Sequence, residues 1–163
     1  EGPVRELLHH FKYRGWRRLA TSMAFPMVAS LGEVGAGDLV PVAMGRRRRR
    51  MRGYNQATEL ARALAALSGR RVDESRLWRC REAGSQTRLG PAERAANLAQ
   101  VFVARAGDSP VILVDDVFTT GATLVSAAMA CLEAGAIRVG AVTFARALPP
   151  LAAAGRRTLN TGA

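Results

Sequence analysis

Val111-Ile-Leu-Val-Asp-Asp-Val-Phe-Thr-Thr-Gly-Ala-Thr123 runs from four apolar residues into two acids, then into a loop of hydroxyls with one glycine. Such an apolar run suits a strand buried on both faces, as parallel sheets require. Downstream, residues 122–134 repeat at helical spacing, Gly135 supplies a stop, and residues 137–144 read as another apolar strand. Strand, loop, helix and strand make a βαβ unit, so the expected class is α/β with a parallel sheet.

In open α/β sheets, ligands sit where strand C-termini meet helix N-termini, because free backbone N–H groups and the helix dipole converge there on an anion. The loop of residues 119–123 fits that place. Gly121 lets the backbone approach closely, Thr119, Thr120 and Thr123 offer hydroxyls beside Ala122, and a phosphate monoester is the natural guest. Asp115 and Asp116, expected just past the strand and outside the core, would repel a phosphate placed against them. They must instead accept from hydroxyls, as of a sugar diol, or hold a divalent cation such as Mg²⁺ bridging to a diphosphate. The chain has no GxxxxGK[ST], so it lacks the lysine of a P-loop, and Gly32, Gly35 and Gly37 precede a strand where a dinucleotide fingerprint would follow one.

Working outward, residues 3–12 and 16–31 read as amphipathic helices, with Pro26 expected to kink or interrupt the second. Residues 38–42 read as a short apolar strand that opens into an arginine-rich loop ending at Gly53. Residues 55–67 carry helical spacing, with Gly69 as the stop. Residues 79–91 read as an exposed, mobile loop, followed by a short helix at 92–98 and a strand at 100–103. The segment after Leu148 reads as a frayed tail.

At 163 residues the chain suits one domain, and 48% hydrophobic with 23% charged residues argues against disorder. No window is apolar enough to span a membrane and no secretion signal opens the chain, so a cytoplasmic protein is expected. Cys80 and Cys131 stand far apart, which excludes a CxxC metal site and a disulfide framework; both are expected to be buried. Trp16 and Trp78 are expected as core or interface anchors. The chain starts at Glu1 directly in an amphipathic pattern, from which an upstream piece is expected. The formal charge of +11 favours anionic partners, phosphates or nucleic acid, although an arginine bias of genomic composition would contribute to it.

The strand followed by Asp-Asp-Val-x-Thr-Thr-Gly-Ala-Thr resembles the phosphoribosyl diphosphate (PRPP) signature of type I phosphoribosyltransferases. Two further blocks are similar to the ComF family in the correct order: Pro41-Val42 leading to Arg52-Gly53-Tyr54-Asn55-Gln56, and Arg79, Gln86, Leu89, Arg94, Asn97 and Phe102. Ala43 stands where that family usually has a second proline, and Ala83 and Ser85 replace a frequent Thr and Pro. The Cys-rich zinc segment often found at the family's N-terminus is not in this chain, either trimmed or lacking in this member, so no zinc is expected here.

The resemblance implies a type I phosphoribosyltransferase-like fold, a mostly parallel twisted sheet flanked by helices with an N-terminal helical layer, over residues 1–148, with a tail at 149–163. It implies that Asp115 and Asp116 hold ribose hydroxyls and organise Mg²⁺, and that Thr119, Thr120, Gly121, Ala122 and Thr123 bind the 5′-phosphate. Ala43, Met44, Arg52 and Gly53 would meet the diphosphate, with Arg52 and the metal neutralising the leaving group. Closure around Gln86 and Arg94 would exclude water. Two roles stay open. One is a Mg²⁺-dependent phosphoribosyltransferase acting on PRPP; the other is an accessory protein of competence and DNA uptake that binds single-stranded DNA and a helicase-like partner. A homodimer is compatible with either. Arg46, Arg47, Arg48, Arg49 and Arg50 could contact diphosphate and DNA, form a solvated loop, or serve as a targeting or membrane-surface tract. If all five met single-stranded phosphates, log affinity would fall against log salt with a slope of roughly −3.5. Tyr54 is the one aromatic nearby in sequence, so a stacking platform looks weak from sequence.

Overall fold

A computed structural model describes residues 3–13, 18–80 and 101–147. Trp16, the expected loop segment bearing Gln86 and Arg94, the short helix at 92–98 and the tail at 149–163 lie outside the described residues. In chain order the elements are α1 (Pro3–Tyr13), α2 (Leu19–Val34), β1 (Asp38–Pro41), α3 (Arg46–Arg52), α4 (Gln56–Ser68), β2 (Leu77–Arg79), β3 (Phe102–Ala104), β4 (Val111–Phe118), α5 (Ala122–Glu133) and β5 (Val139–Arg146).

The expected α/β class holds: β1, β4 and β5 form a parallel sheet in that order, flanked by helices, with helices α1 and α2 leading the chain. Val111 pairs with both Asp38 and Val139, which fixes the register on either side of β4. Strand alternation then sorts the core into two layers. Ile112 and Val114 face α2 and α4, joining Met23, Met27, Leu31, Leu60 and Leu64. Val111 and Leu113 face α5 and the antiparallel pair β2–β3, joining Leu77, Phe102, Ala127 and Cys131. A strand buried on both faces needs apolar residues at every position, which is why the four-residue run is unbroken; each such side chain contributes about 1.5–3 kcal/mol.

Several expectations need correction. Helix α2 runs through Pro26 without interruption. Pro26 is exposed, so the carbonyl it leaves unpaired faces water, while Ala20, Met23, Ala24, Met27 and Leu31 anchor the opposite side. The arginine run forms helix α3, not a loop, closed by Gly53 in the left-handed conformation with its N–H donated to the Arg49 carbonyl. Arginine has good helix propensity, and exposure lets water screen the like charges. Strand β2 has no counterpart in the sequence reading. Cys80 is exposed while Cys131 is buried, and Trp78 is 47% exposed on β2, outside the core. Among the described residues no helix is long and apolar enough to cross a membrane.

Candidate functional site

Strand β4 continues past its apolar half through both acids to Phe118, because β5 accompanies it that far: Asp115 pairs with Thr143 and Phe118 with Arg146. The acids are therefore part of the strand, not beyond it, and Asp116 is only 9% exposed. Both nevertheless open onto a polar cleft of about 160 Å³ at the strand's C-terminal end. Around them stand Lys12, Ala43, Met44, Arg48, Arg52 and Thr123, drawn from separate segments of the chain.

Two crowded carboxylates demand compensation. Asp116 Oδ2 lies 2.9 Å from Lys12 Nζ on α1, and both side chains are largely buried. Asp115 forms no salt bridge among the described residues; its Oδ1 accepts the Asp116 backbone N–H at 2.8 Å. Burial, and then the neighbouring Asp116 charge, push its carboxyl up to about 7. Near neutrality Asp115 is thus poised between proton and charge, and a cation or a ring of hydroxyl donors at this spot would favour the ionised form.

The opposite wall is built from the turn after β1. Asn55 caps α4 by accepting from the Ala57 N–H at 3.3 Å, and its Nδ2 donates to the Val42 carbonyl at 3.0 Å. One side chain thereby fixes the turn at 42–45 to the start of α4. Arg52 donates through Nη1 to Gln56 Oε1 at 3.2 Å. Gln56 is 2% exposed, and its buried Nε2 has no hydrogen-bond partner among the described residues. A buried amide donor without an acceptor costs stability, and a ligand oxygen in the cleft would satisfy it. The donor set also fits a Mg²⁺ ion held partly by a ligand: two adjacent carboxylates give hard oxygens, while no group of three His, Cys, Asp or Glu side chains clusters among the described residues.

The expected 5′-phosphate loop divides between two hollows. Thr123 lines the polar cleft, whereas Thr120 and Gly121 line an apolar cavity of about 410 Å³ with Leu113, Phe118, Leu124 and Val139; Thr119 and Ala122 line neither. That apolar hollow is larger, yet it holds no acid or base, so the polar cleft is the chemical candidate. Gly121 does need to be glycine: its φ is +80°, and a Cβ would come within 2.9 Å of the Phe118 ring.

Helix α3 distributes the arginines. Arg48 and Arg52, four apart, face the polar cleft, while Arg46 and Arg49, three apart, face a neighbouring groove with Gly53. Arg47 and Arg50 line neither hollow. Of the expected site residues, Ala43, Met44, Arg52, Asp115, Asp116 and Thr123 come together in one cleft, and Gln86 and Arg94 lie outside the described residues. Sequence reasoning gave no site role to Lys12, Asn55 or Gln56. Asn55 before a helical pattern is a readable cap signal, but the Lys12 contact with β4 joins distant segments and leaves no local trace.

No protein-family model matches the chain. Two curated relatives, each called DNA utilization protein YhgH, from Salmonella typhi and Salmonella typhimurium, are 29% identical to it, over 90% of this chain and 68% of theirs. Among solved structures, the allosteric regulatory enzyme of purine biosynthesis aligns with a TM-score of 0.47 and 18% identity, over 77% of this chain. The chain spans only 25% of that enzyme's length.

Proposed function

We propose that this protein is a ComF-type, PRPP-binding member of the phosphoribosyltransferase group, and that the polar cleft binds PRPP with Mg²⁺ and transfers its phosphoribosyl group. What supports the reading most is the convergence of the acid pair, Arg52 and Thr123 in one cleft beside a buried Gln56 whose Nε2 has no hydrogen-bond partner among the described residues. In this reading Asp115 and Asp116 accept hydrogen bonds from the ribose hydroxyls, and Thr123 at the start of α5 receives the 5′-phosphate, helped by the helix dipole. The turn at Ala43 and Met44, with Arg52 and Arg48, takes the diphosphate, and Gln56 Nε2 donates to one of its oxygens. Mg²⁺, when bound, supplies further neutralisation of the leaving diphosphate. Departure of diphosphate with the electron pair of its bond to the anomeric carbon leaves an oxocarbenium-like centre, which the flanking carboxylates stabilise by charge until the lone pair of a nitrogenous acceptor forms the new bond to that carbon. Lys12 gives up Asp116 or shares it as the ribose enters.

A thermal-melt titration tests this reading. Mg²⁺ with PRPP at about 100 times its Kd should stabilise the fold by ~2.7 kcal/mol. Neither Mg²⁺ alone nor ribose should match that effect, and an unchanged melting temperature at millimolar PRPP would refute it. Diphosphate release in the presence of candidate nitrogenous acceptors then tests transfer.

The name carried by the curated relatives, DNA utilization protein, favours a second, compatible role in handling DNA; that the DNA is single-stranded and that a helicase-like partner takes part belong to this proposal. Retention of PRPP binding with loss of DNA binding in Arg46 and Arg49 variants, which lie outside the polar cleft, would separate the two roles.

A further inference from the structure

The groove on the far side of α3 differs from both the polar cleft and the apolar cavity. It measures about 460 Å³ and is lined by Arg46, Arg49, Arg62, Arg79, Glu59 and Glu74 around Trp78. Strand alternation sends Leu77 into the core at 4% exposed and turns Trp78 outward at 47%. Tryptophan is highly buried on average, so a half-exposed indole inside a charged hollow calls for an explanation. Both acids in the groove are committed to one arginine. Arg62 holds Glu74 by two bonds, of 2.6 and 2.9 Å, and approaches Glu59 at 3.8 Å. Arg46 and Arg49 are exposed, project from the same face of α3 and form no ion pair among the described residues.

We infer that this groove is a nucleoside-phosphate site, in which the base stacks on Trp78 and the phosphate is held by Arg46 and Arg49. The chemistry is specific in both halves. A flat π-face in one hollow with the exposed Arg46 and Arg49 guanidinium groups suits a ligand that is aromatic at one end and anionic at the other, whatever the base. The groove shares Ala43, Met44, Asn55 and Arg79 with the polar cleft, so the two sites adjoin across the turn at 42–45. The chemistry stands independently of PRPP binding; its biological source rests on the DNA-handling reading, since the ligand is either a free nucleotide or a nucleotide within a single strand.

The test follows indole fluorescence and anisotropy of the full chain with two probes, dAMP and a labelled single-stranded oligonucleotide of about 15 residues. Binding should quench the emission, and Trp78→Ala should abolish that quenching and weaken affinity at least about fivefold. Arg46→Ser with Arg49→Ser should flatten the slope of log affinity against log salt by about 1.4 for the oligonucleotide. Trp78→Phe, which keeps a ring, should restore most of the affinity and shows that Trp78→Ala did not act by unfolding. Tight oligonucleotide binding unchanged in both variants would overturn the site while sparing the DNA-handling reading. Binding of dAMP without oligonucleotide binding would uphold the site and reject the strand as its source. Failure of both probes would overturn the site and that reading together.

Discussion

The two hollows on either side of α3 share a wall but not a chemistry. On the cleft side acids and bases meet: Lys12 sits 2.9 Å from Asp116, and Arg52 donates to Gln56 beside Asp115. On the groove side the acids are taken up by Arg62, and Arg46 and Arg49 are exposed in the same hollow as a tryptophan. A cleft that holds both acids and bases suits a ligand that brings both signs, such as a metal diphosphate with hydroxyls. An open basic surface takes phosphate with little discrimination and yields to salt. One seven-residue helix serves both because residues three and four apart lie on chosen faces.

The strongest way to break this contrast is to remove charge from the cleft alone. Asp115→Asn with Asp116→Asn should lower PRPP affinity by more than ~100-fold in calorimetry, at two charged hydrogen-bonding groups of about 1.5–3 kcal/mol each. Oligonucleotide affinity should stay within about twofold. Next comes Arg52→Lys, which keeps the charge and loses the planar fork. PRPP binding should weaken about tenfold, as a loss of bidentate geometry predicts, and equal affinity would mean that only charge matters there.

Lys12→Met sharpens the comparison from the stability side. It strands a mostly buried Asp116, and after discounting for the partial exposure of Lys12 the cost should be about 1–2 kcal/mol. Melting should fall by roughly 3–6 °C for a domain of this size, with part of the loss regained when Mg²⁺ and PRPP are added. The smallest effect concerns Asp115 itself. Because its folded pKa, about 7, lies above the ordinary carboxyl value of 3.8, the native state holds the proton more tightly than the unfolded chain. The cost of ionising it is absent below about pH 4, grows through the interval up to 7, and is complete above that. Asp115→Asn should therefore raise the melting temperature by a few degrees near pH 8 and leave it unchanged near pH 4. A gain of equal size at both pH values would contradict the burial assigned to this carboxyl.

How much of this could be read from the chain depends on how local each signal is. The βαβ unit from Val111 to β5 was legible because four apolar residues, a glycine-bearing turn and a helical period follow one another in sequence. The extension of β4 through the acids was not, since pairing with β5 decides it, and two aspartates in a row argue locally against a strand. The α3 helix was hidden for a related reason: five identical residues show no periodicity, so nothing in the run marks faces. Trp78 and Lys12 depended on contacts across the molecule. The exposed face of β2 and the approach of α1 to β4 are products of packing, which a single sequence leaves unstated.

The most direct test of the cleft assignment is a crystal structure with ribose 5-phosphate bound. The phosphate should lie beside Thr123 at the start of α5, with the sugar hydroxyls on Asp115 and Asp116. Density for the sugar in the apolar cavity of Leu124 and Val139, or in the Trp78 groove with the acids still bonded only to Lys12 and each other, would contradict it.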